Sequence, residues 1–237
     1  MNPAQLALDI ALRRESSFAT YRAGPNAGVV ALLENLASGR APARAFLTGP
    51  PGSGKTHLVN ATVRAAHAAG HACQCLFAEQ IVGLNPALLG GVIGDGLTVI
   101  DAAERFAGRP EWEAAMFALL NRVQDRNGGL LVAANAAPAD LGLGLADLRS
   151  RLQALALLRL QSLDEEEVRR TLSEVAGQRG LSLPEPVAAY LMRRERRDLG
   201  SLLALLDRID RAALAGQRAL TIPFVRELLA REALTGR

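Results

Sequence analysis

The sequence predicts an α/β domain with a central parallel sheet of five strands, followed by a small all-helical domain. Five short apolar runs alternate with longer stretches of helical pattern up to about residue 161. A glycine-rich loop joins the first apolar run to a helix, and four helical stretches without any strand follow from residue 162. Alternating strands and helices favour parallel pairing, because each crossover helix returns the chain to the same edge of the sheet.

The predicted elements are bounded by glycine, proline or helix-capping residues. Strands are expected at residues 45–48, 71–78, 97–101, 130–134 and 154–160. Helices are expected at residues 27–38, 55–69, 110–126, 164–180, 184–194, 198–216 and 221–234. We therefore expect an N-terminal peptide over residues 1–16, an α/β domain over 17–161 and a helical domain over 162–237.

Composition narrows the class of protein. The chain has 237 residues, 49% of them hydrophobic, which is enough for a full α/β core and a smaller second domain. Its 27 basic and 24 acidic residues give a net charge of +3, which is too weak to indicate nucleic-acid binding. The absence of a signal peptide and of any long apolar run predicts a cytoplasmic protein without a membrane span. Cys73 and Cys75 have only His71 nearby and are interpreted as buried structural thiols.

The glycine-rich loop fits the phosphate-binding pattern G-x-x-x-x-G-K-[ST] at every fixed position. Its glycines allow successive backbone N–H groups to face phosphate oxygens, and the helix that follows adds its positive end. Lys55 is placed to reach the β- and γ-phosphates, and the Thr56 hydroxyl to ligate Mg²⁺. A nucleotide, ADP or ATP, is thus expected on Gly49, Gly52, Ser53, Gly54, Lys55 and Thr56.

An apolar strand that ends in Asp101 predicts a second magnesium residue beside this loop, acting directly or through water. The next residue is Ala102, so no carboxylate directly follows Asp101 to polarise an attacking water. Glu104 lies nearby in the sequence but at the wrong offset. We therefore expect slow intrinsic ATP hydrolysis.

Three further stretches are interpreted from spacing alone, and two of them have two interpretations. Asn135, at the end of an apolar strand, is either a ligand-facing side chain or an ordinary turn residue. Arg149 and Arg151 precede the last strand and, on spacing alone, are solvated surface residues. Residues 5–10, with apolar side chains at every second position, form either an edge strand or helix start, or an extended peptide that docks into a partner's groove.

Several of these segments together resemble the AAA+ part of the bacterial initiator DnaA, and more closely the Hda family of its regulatory homologues. The likeness spans nearly the whole chain and leaves no stretch for a helix-turn-helix domain, so direct sequence-specific DNA binding is not expected. The resemblance rests on residues 5–10, 17–19, 54–58, 148–152 and 220–225, together with Asp101 and the C-terminal helical domain.

The resemblance implies a nucleotide-bound regulator of replication initiation that binds the DNA polymerase sliding clamp and stimulates hydrolysis of DnaA-bound ATP. It assigns the clamp-binding motif to Gln5, Leu6, Leu8 and Ile10, although Asp9 stands where a proline is common. A stand-alone ATPase of the helicase-loader type is the alternative. The sequence is compatible with ADP or ATP as the resident nucleotide, and with a monomer or a homo-oligomer.

The resemblance also implies roles for three polar residues around the nucleotide. Asn135 falls on the sensor 1 position, where DnaA-like proteins have Asp. Arg151 falls on the arginine finger that acts in trans on a neighbour's ATP, with Arg149 as the alternative. Arg197 falls on sensor 2, with Arg194 or Arg196 as alternatives, in what would be a helical lid domain.

Overall fold

The structure, a computed structural model, describes residues 16–40, 44–194, 199–216 and 220–235, with side chains omitted at 215–216 and 231–235. The chain divides between Gln161 and Ser162 into two compact units, and each is described by itself. None of the helices within these ranges is long and apolar enough to cross a membrane.

The first unit is built on a parallel sheet of five strands, as predicted. Its strands are β1 (Arg44–Thr48), β2 (Cys73–Phe77), β3 (Leu97–Asp101), β4 (Gly129–Ala134) and β5 (Ala156–Arg159). They lie in the order β2-β3-β4-β1-β5, and every neighbouring pair is parallel. The carboxyl ends of β1, β4 and β3 are therefore consecutive along one edge of the sheet.

Helices cover both faces of this sheet. The first unit has helices α1 (Ala27–Ala37), α2 (Lys55–Ala68), α3 (Ala78–Ile81), α4 (Pro110–Asp125) and α5 (Ala146–Gln153). Successive strand residues face opposite sides, so Leu131 and Ala133 of β4 join a buried cluster with α1 and α2. Leu130 and Val132 join the other cluster, with α4 and α5. The result is a three-layer arrangement with the loop after β1 at the sheet's carboxyl edge.

Helix α5 was not predicted, and β5 begins two residues later than the predicted last strand. Ala154 caps the end of α5, and β5 begins only at Ala156. The reason is the four-residue spacing of Leu148 and Leu152, which places both side chains on one helical face, where they are fully buried. The other four predicted strands differ from those observed by no more than two residues at either end.

A buried carboxylate fixes the loops on the face covered by α4 and α5. Glu113 of α4 accepts hydrogen bonds from the backbone N–H groups of Gly108 at 2.8 Å, Gly144 at 3.2 Å and Leu145 at 2.7 Å. Its side chain is almost inaccessible to solvent. Glu113 thereby fastens the loop after β3 and the start of α5 to one helix.

The two cysteines lie on β2 as free thiols. Burial raises the pKa of Cys73 to about 12 and that of Cys75 well above its ordinary value. Both thiols therefore stay protonated at neutral pH. Among the described residues, no three His, Cys, Asp or Glu side chains are grouped so as to hold a metal ion.

The second unit contains helices and no strand in its described part. Its helices are α6 (Glu165–Gln178), α7 (Glu185–Arg194), α8 (Leu199–Gly216) and α9 (Ile222–Thr235). Asp164 caps α6 by accepting from the Glu167 N–H at 2.7 Å, while the Glu167 carboxylate accepts from the Asp164 N–H at 3.1 Å. Apolar side chains of all four helices form a separate core, which includes Leu172, Leu191 and Phe224.

Candidate functional site

Residues 49–54, the phosphate-binding loop (P-loop) between β1 and α2, have a backbone shaped to bind an anion. Gly52 has φ of 79° and Gly54 has φ of 88°, and this left-handed region favours glycine. Helix α2 starts directly after Gly54, which carries no side chain to cap it. The first N–H groups of α2 therefore stay open to an anion at the positive end of the helix dipole.

Close packing requires glycine at both ends of this loop. A Cβ at Gly49 would lie 2.8 Å from the Cβ of Leu160 and from Oγ of Ser53, and one at Gly54 would lie 2.6 Å from Cε2 of Tyr21. The Ser53 Oγ is buried and has no hydrogen-bond partner among the described residues. This hydroxyl and the open N–H groups form a donor set that fits an anionic phosphate.

Lys55 places its ammonium group against the same loop. Its Nζ donates hydrogen bonds to the carbonyl oxygens of Gly49 at 2.7 Å and Pro50 at 3.0 Å. Burial lowers the pKa of Lys55, an effect partly offset by the negative charges of Glu104 and Asp101. Lys55 is also the only lysine in the sequence, so the chain's one primary amine on a side chain lies at this site.

The two predicted magnesium residues are close together. Asp101, at the end of β3, accepts hydrogen bonds from the Thr56 hydroxyl and, at 3.0 Å, from the Ala102 N–H. Burial raises the pKa of this carboxyl, and the two hydrogen bonds lower it in part. A hydroxyl and a carboxylate beside a phosphate cradle are the oxygen ligands that Mg²⁺ prefers. Thr56 and Asp101 therefore fit a magnesium ion that accompanies a bound nucleotide.

Glu104 lies in the site despite its sequence offset. Ala102 adopts a left-handed conformation with φ of 57° and ψ of 42°, and a 3₁₀-helix over Ala103–Phe106 follows. This turn brings the Glu104 carboxylate near enough to act on the pKa of both Lys55 and Asp101. Glu104 Oε2 also accepts a hydrogen bond from the Asn135 backbone N–H at 3.3 Å.

Asn135 directly follows β4. This strand lies between β1, which leads into the P-loop, and β3, which ends in Asp101. Its neighbour Ala134 pairs with Thr48, the last residue of β1. Asn135 itself is exposed at the carboxyl edge of the sheet. The structure therefore places it beside the loop, Asp101 and Glu104, where a ligand of an open α/β sheet would lie.

Arg149 and Arg151 are two residues apart in α5, so their side chains leave the helix on roughly opposite sides. The Arg151 guanidinium stacks over the Phe117 ring, 5.3 Å from its centroid, and donates a hydrogen bond to the Gln124 amide oxygen. Arg149 donates to the Leu143 carbonyl at 3.3 Å. Both are half-buried, so neither is the fully solvated residue that spacing alone indicates.

Five predicted site residues lie outside the described part of the chain. They are Gln5, Leu6, Leu8 and Ile10 of the N-terminal peptide, and Arg197 of the helical domain. Arg194, an alternative to Arg197, ends α7 and donates to the Tyr190 hydroxyl at 3.4 Å.

Two residues near the loop were missed at the level of sequence. Tyr21 lies against Gly54 and Ser53, although it precedes α1 and no pattern connects it to the loop. Asn60 of α2 lines a cavity with Thr56 and Asp101. Its spacing of four residues from Thr56 is a signal that could have identified it.

Comparison with known proteins gives both a family match and structural neighbours. A sequence model of the Hda lid domain matches residues 164–229. Domain III of Thermotoga maritima DnaA superposes with a TM-score of 0.77 at 18% identity, covering 93% of this chain and 98% of that one.

Two further solved structures share the fold. AMPPCP-bound DnaA from Aquifex aeolicus has a TM-score of 0.69 at 18% identity, covering 84% of this chain and 66% of that one. A Thermotoga maritima RuvB variant has a TM-score of 0.66 at 17% identity, covering 92% and 72%. The chain therefore has the fold of these DnaA and RuvB structures, and its residues 164–229 resemble the Hda lid domain.

Proposed function

We propose that this protein is a nucleotide-bound regulator that stimulates hydrolysis of ATP held by DnaA and so inactivates the initiator. The observation that carries the proposal is the Hda lid match over residues 164–229, in a chain whose other unit has a P-loop site. The AMPPCP complex of a structural neighbour supports a nucleotide as the ligand of that site. The compartment would be the cytoplasm, where the initiator acts.

The protein's own nucleotide would lie on Gly49, Gly52, Ser53, Gly54, Lys55 and Thr56. Lys55 would release its hydrogen bonds to the loop carbonyls and donate to phosphate oxygens instead. The new hydrogen bonds would be stronger, because both the donor and the acceptor are charged. Thr56 and Asp101 would hold Mg²⁺, which supplies compensating positive charge when bound. Asn135 would act as sensor 1 at the phosphate edge, and Arg197 as sensor 2.

Arg151 would serve as the arginine that reaches ATP on a neighbouring DnaA. Its contacts with Phe117 and Gln124 order the guanidinium before any partner arrives, so less side-chain entropy is lost on engagement. A planar guanidinium at the γ-phosphate stabilises charge on the transferred phosphoryl group, an effect worth about 10³–10⁵ in rate. The N-terminal residues Gln5, Leu6, Leu8 and Ile10 would tether the protein to the sliding clamp.

The test is conversion of DnaA-bound radiolabelled ATP to ADP in the presence of clamp loaded on DNA. Arg151→Ala is expected to fold, bind nucleotide and bind the clamp, yet to lose stimulation. Arg151→Lys is also expected to fail, because a point charge cannot replace the planar fork. Arg149→Ala is the matched control, since it removes a half-buried arginine from the same helix.

The outcomes of this assay separate the candidates. Loss of stimulation in Arg149→Ala, with full stimulation by Arg151→Ala, would assign the role to Arg149. Full stimulation by both variants would overturn the proposal that an arginine of this protein acts on DnaA-bound ATP.

A stand-alone ATPase is the second candidate, and the observation that favours it is the position of Glu104. Its carboxylate lies near Lys55 and Asp101, where it could orient a water at the protein's own nucleotide. Ala102, which follows Asp101 directly, argues for slow turnover instead. The rate of ATP hydrolysis by the protein alone separates the two candidates.

A further inference from the structure

A polar cavity of about 230 Å³ lies beside the P-loop helix. Helix α2 contributes Thr56 and Asn60 to its wall, β3 contributes Asp101, and α3 contributes Glu79 and Gln80. A water molecule needs roughly 10–15 Å³ of such space and two or more polar partners. The cavity therefore has room and partners for several waters next to the two residues that fit Mg²⁺.

The Asn60 carboxamide is the unexplained group in this cavity. Asn60 is 1% exposed, and neither its Nδ2 nor its Oδ1 has a hydrogen-bond partner among the described residues. Two residues further along the same helix, the buried Thr62 donates its hydroxyl to the Leu58 carbonyl at 2.7 Å. Because a buried amide without partners is destabilising, Asn60 needs a ligand that the described residues do not supply.

Helix geometry directs Asn60 toward the metal-binding residues. Asn60 follows Thr56 by four residues, so the two side chains share one face of α2. Side chains of a helix lean toward its N-terminus, which turns the carboxamide toward the Thr56 end of the cavity. The nearby Glu79 carboxylate pairs with Arg105 at 2.6 Å. Asp101 and Asn60 are thus the buried polar groups that line the cavity around Thr56.

We propose that the Asn60 carboxamide binds a water of the hydration shell of Mg²⁺ and thereby positions the ion between Thr56 and Asp101. Mg²⁺ keeps several of its waters in nucleotide sites, and a metal-bound water donates, so Oδ1 of Asn60 is the acceptor. Asn60 is then a positioning residue for the metal. This inference rests on the proposed nucleotide site and goes beyond it, because it assigns a role to a residue outside the phosphate-binding loop.

The experiment measures Mn²⁺ affinity by electron paramagnetic resonance in the presence of ADP, and ADP affinity by calorimetry in EDTA. Asn60→Leu keeps the side-chain size but removes the acceptor, and it should weaken Mn²⁺ binding about tenfold. Its ADP affinity in EDTA should equal that of the wild type. Asn60→Asp places a charged acceptor at the same position and should strengthen Mn²⁺ binding.

Thr62→Val is the matched control, because it removes a buried polar group of α2 that does not line the cavity. It should leave Mn²⁺ affinity unchanged. Wild-type Mn²⁺ affinity in folded Asn60→Leu would overturn the inference. If that variant fails to fold, unchanged or weaker Mn²⁺ binding by Asn60→Asp would overturn it instead. A wild-type protein that does not bind ADP even in EDTA would overturn the nucleotide site as well.

Discussion

The Tyr21 hydroxyl donates a hydrogen bond to the Ser53 carbonyl oxygen at 2.9 Å, joining the segment before α1 to the middle of the P-loop. Asn26 donates its amide N–H to the same hydroxyl at 3.3 Å and to the Gln161 carbonyl at 3.0 Å. The tyrosine ring covers the face of Gly54, where any Cβ would collide with it. The conformation of the phosphate-binding loop therefore depends on residues some 30 positions earlier in the chain.

Tyr21→Phe should destabilise the first unit by about 1 kcal/mol, because the Ser53 carbonyl loses its donor while the ring remains. Unfolding in urea, followed by fluorescence of Trp112, measures this directly. Trp112 is the chain's single tryptophan and lies buried in the core of the first unit. Tyr190→Phe, in the second unit, is the control and should leave the Trp112 transition unchanged. Equal midpoints for Tyr21→Phe and wild type would contradict the prediction.

Acetylation of Lys55 should slow when Mg·ADP binds. Burial lowers the pKa of Lys55, so near pH 8 more of this amine is neutral and nucleophilic than for an ordinary lysine. Phosphate charges favour the protonated form and raise that pKa, which lowers the fraction of reactive amine. Because Lys55 is the only lysine, mass spectrometry of one peptide reports the rate.

The α-amino group of the same molecules serves as the internal control for this measurement, since its acetylation should not respond to nucleotide. Lys55→Ala should also lose ADP binding in calorimetry, because the phosphates lose their direct cation. An acetylation rate that Mg·ADP leaves unchanged, together with ADP binding by Lys55→Ala, would exclude the P-loop as the nucleotide site.

Intrinsic ATP turnover should fall well below about 1 s⁻¹, an ordinary value for enzymes. Whatever rate remains should depend on Glu104, and Glu104→Gln should reduce it by about 10²-fold or more if the carboxylate orients water. Glu111→Gln, at an exposed position in the first turn of α4, is the control. Turnover above this threshold would favour the stand-alone ATPase over the regulator.

The N-terminal peptide should account for binding to the sliding clamp. Simultaneous replacement of Gln5, Leu6 and Leu8 by alanine should abolish capture by immobilised clamp, since each buried leucine is worth about 1.5–3 kcal/mol before ordering costs. ADP binding by the variant should be unaffected. A clamp without its peptide groove is the second control. Equal capture of the variant and the wild type would assign these residues a structural role.

The sequence predicts the P-loop, the strand that ends in Asp101 and the parallel sheet because each depends on local periodicity and on glycines at fixed spacing. It does not predict that Glu104 reaches the site, because that requires a positive φ at Ala102, a conformation uncommon for any residue other than glycine. It also misses Tyr21 and Asn60, whose significance comes from residues distant in sequence.

Glu113 joins the two segments of the first unit that carry Glu104 and Arg151. The turn that carries Glu104 leads into Gly108, and the helix that carries Arg151 begins after Gly144 and Leu145; all three backbone amides are held by this one carboxylate. A displacement of the turn is therefore transmitted to the start of that helix through a single side chain. Glu113 would therefore connect the pocket proposed for the protein's own nucleotide with the arginine proposed to act on a neighbour's ATP.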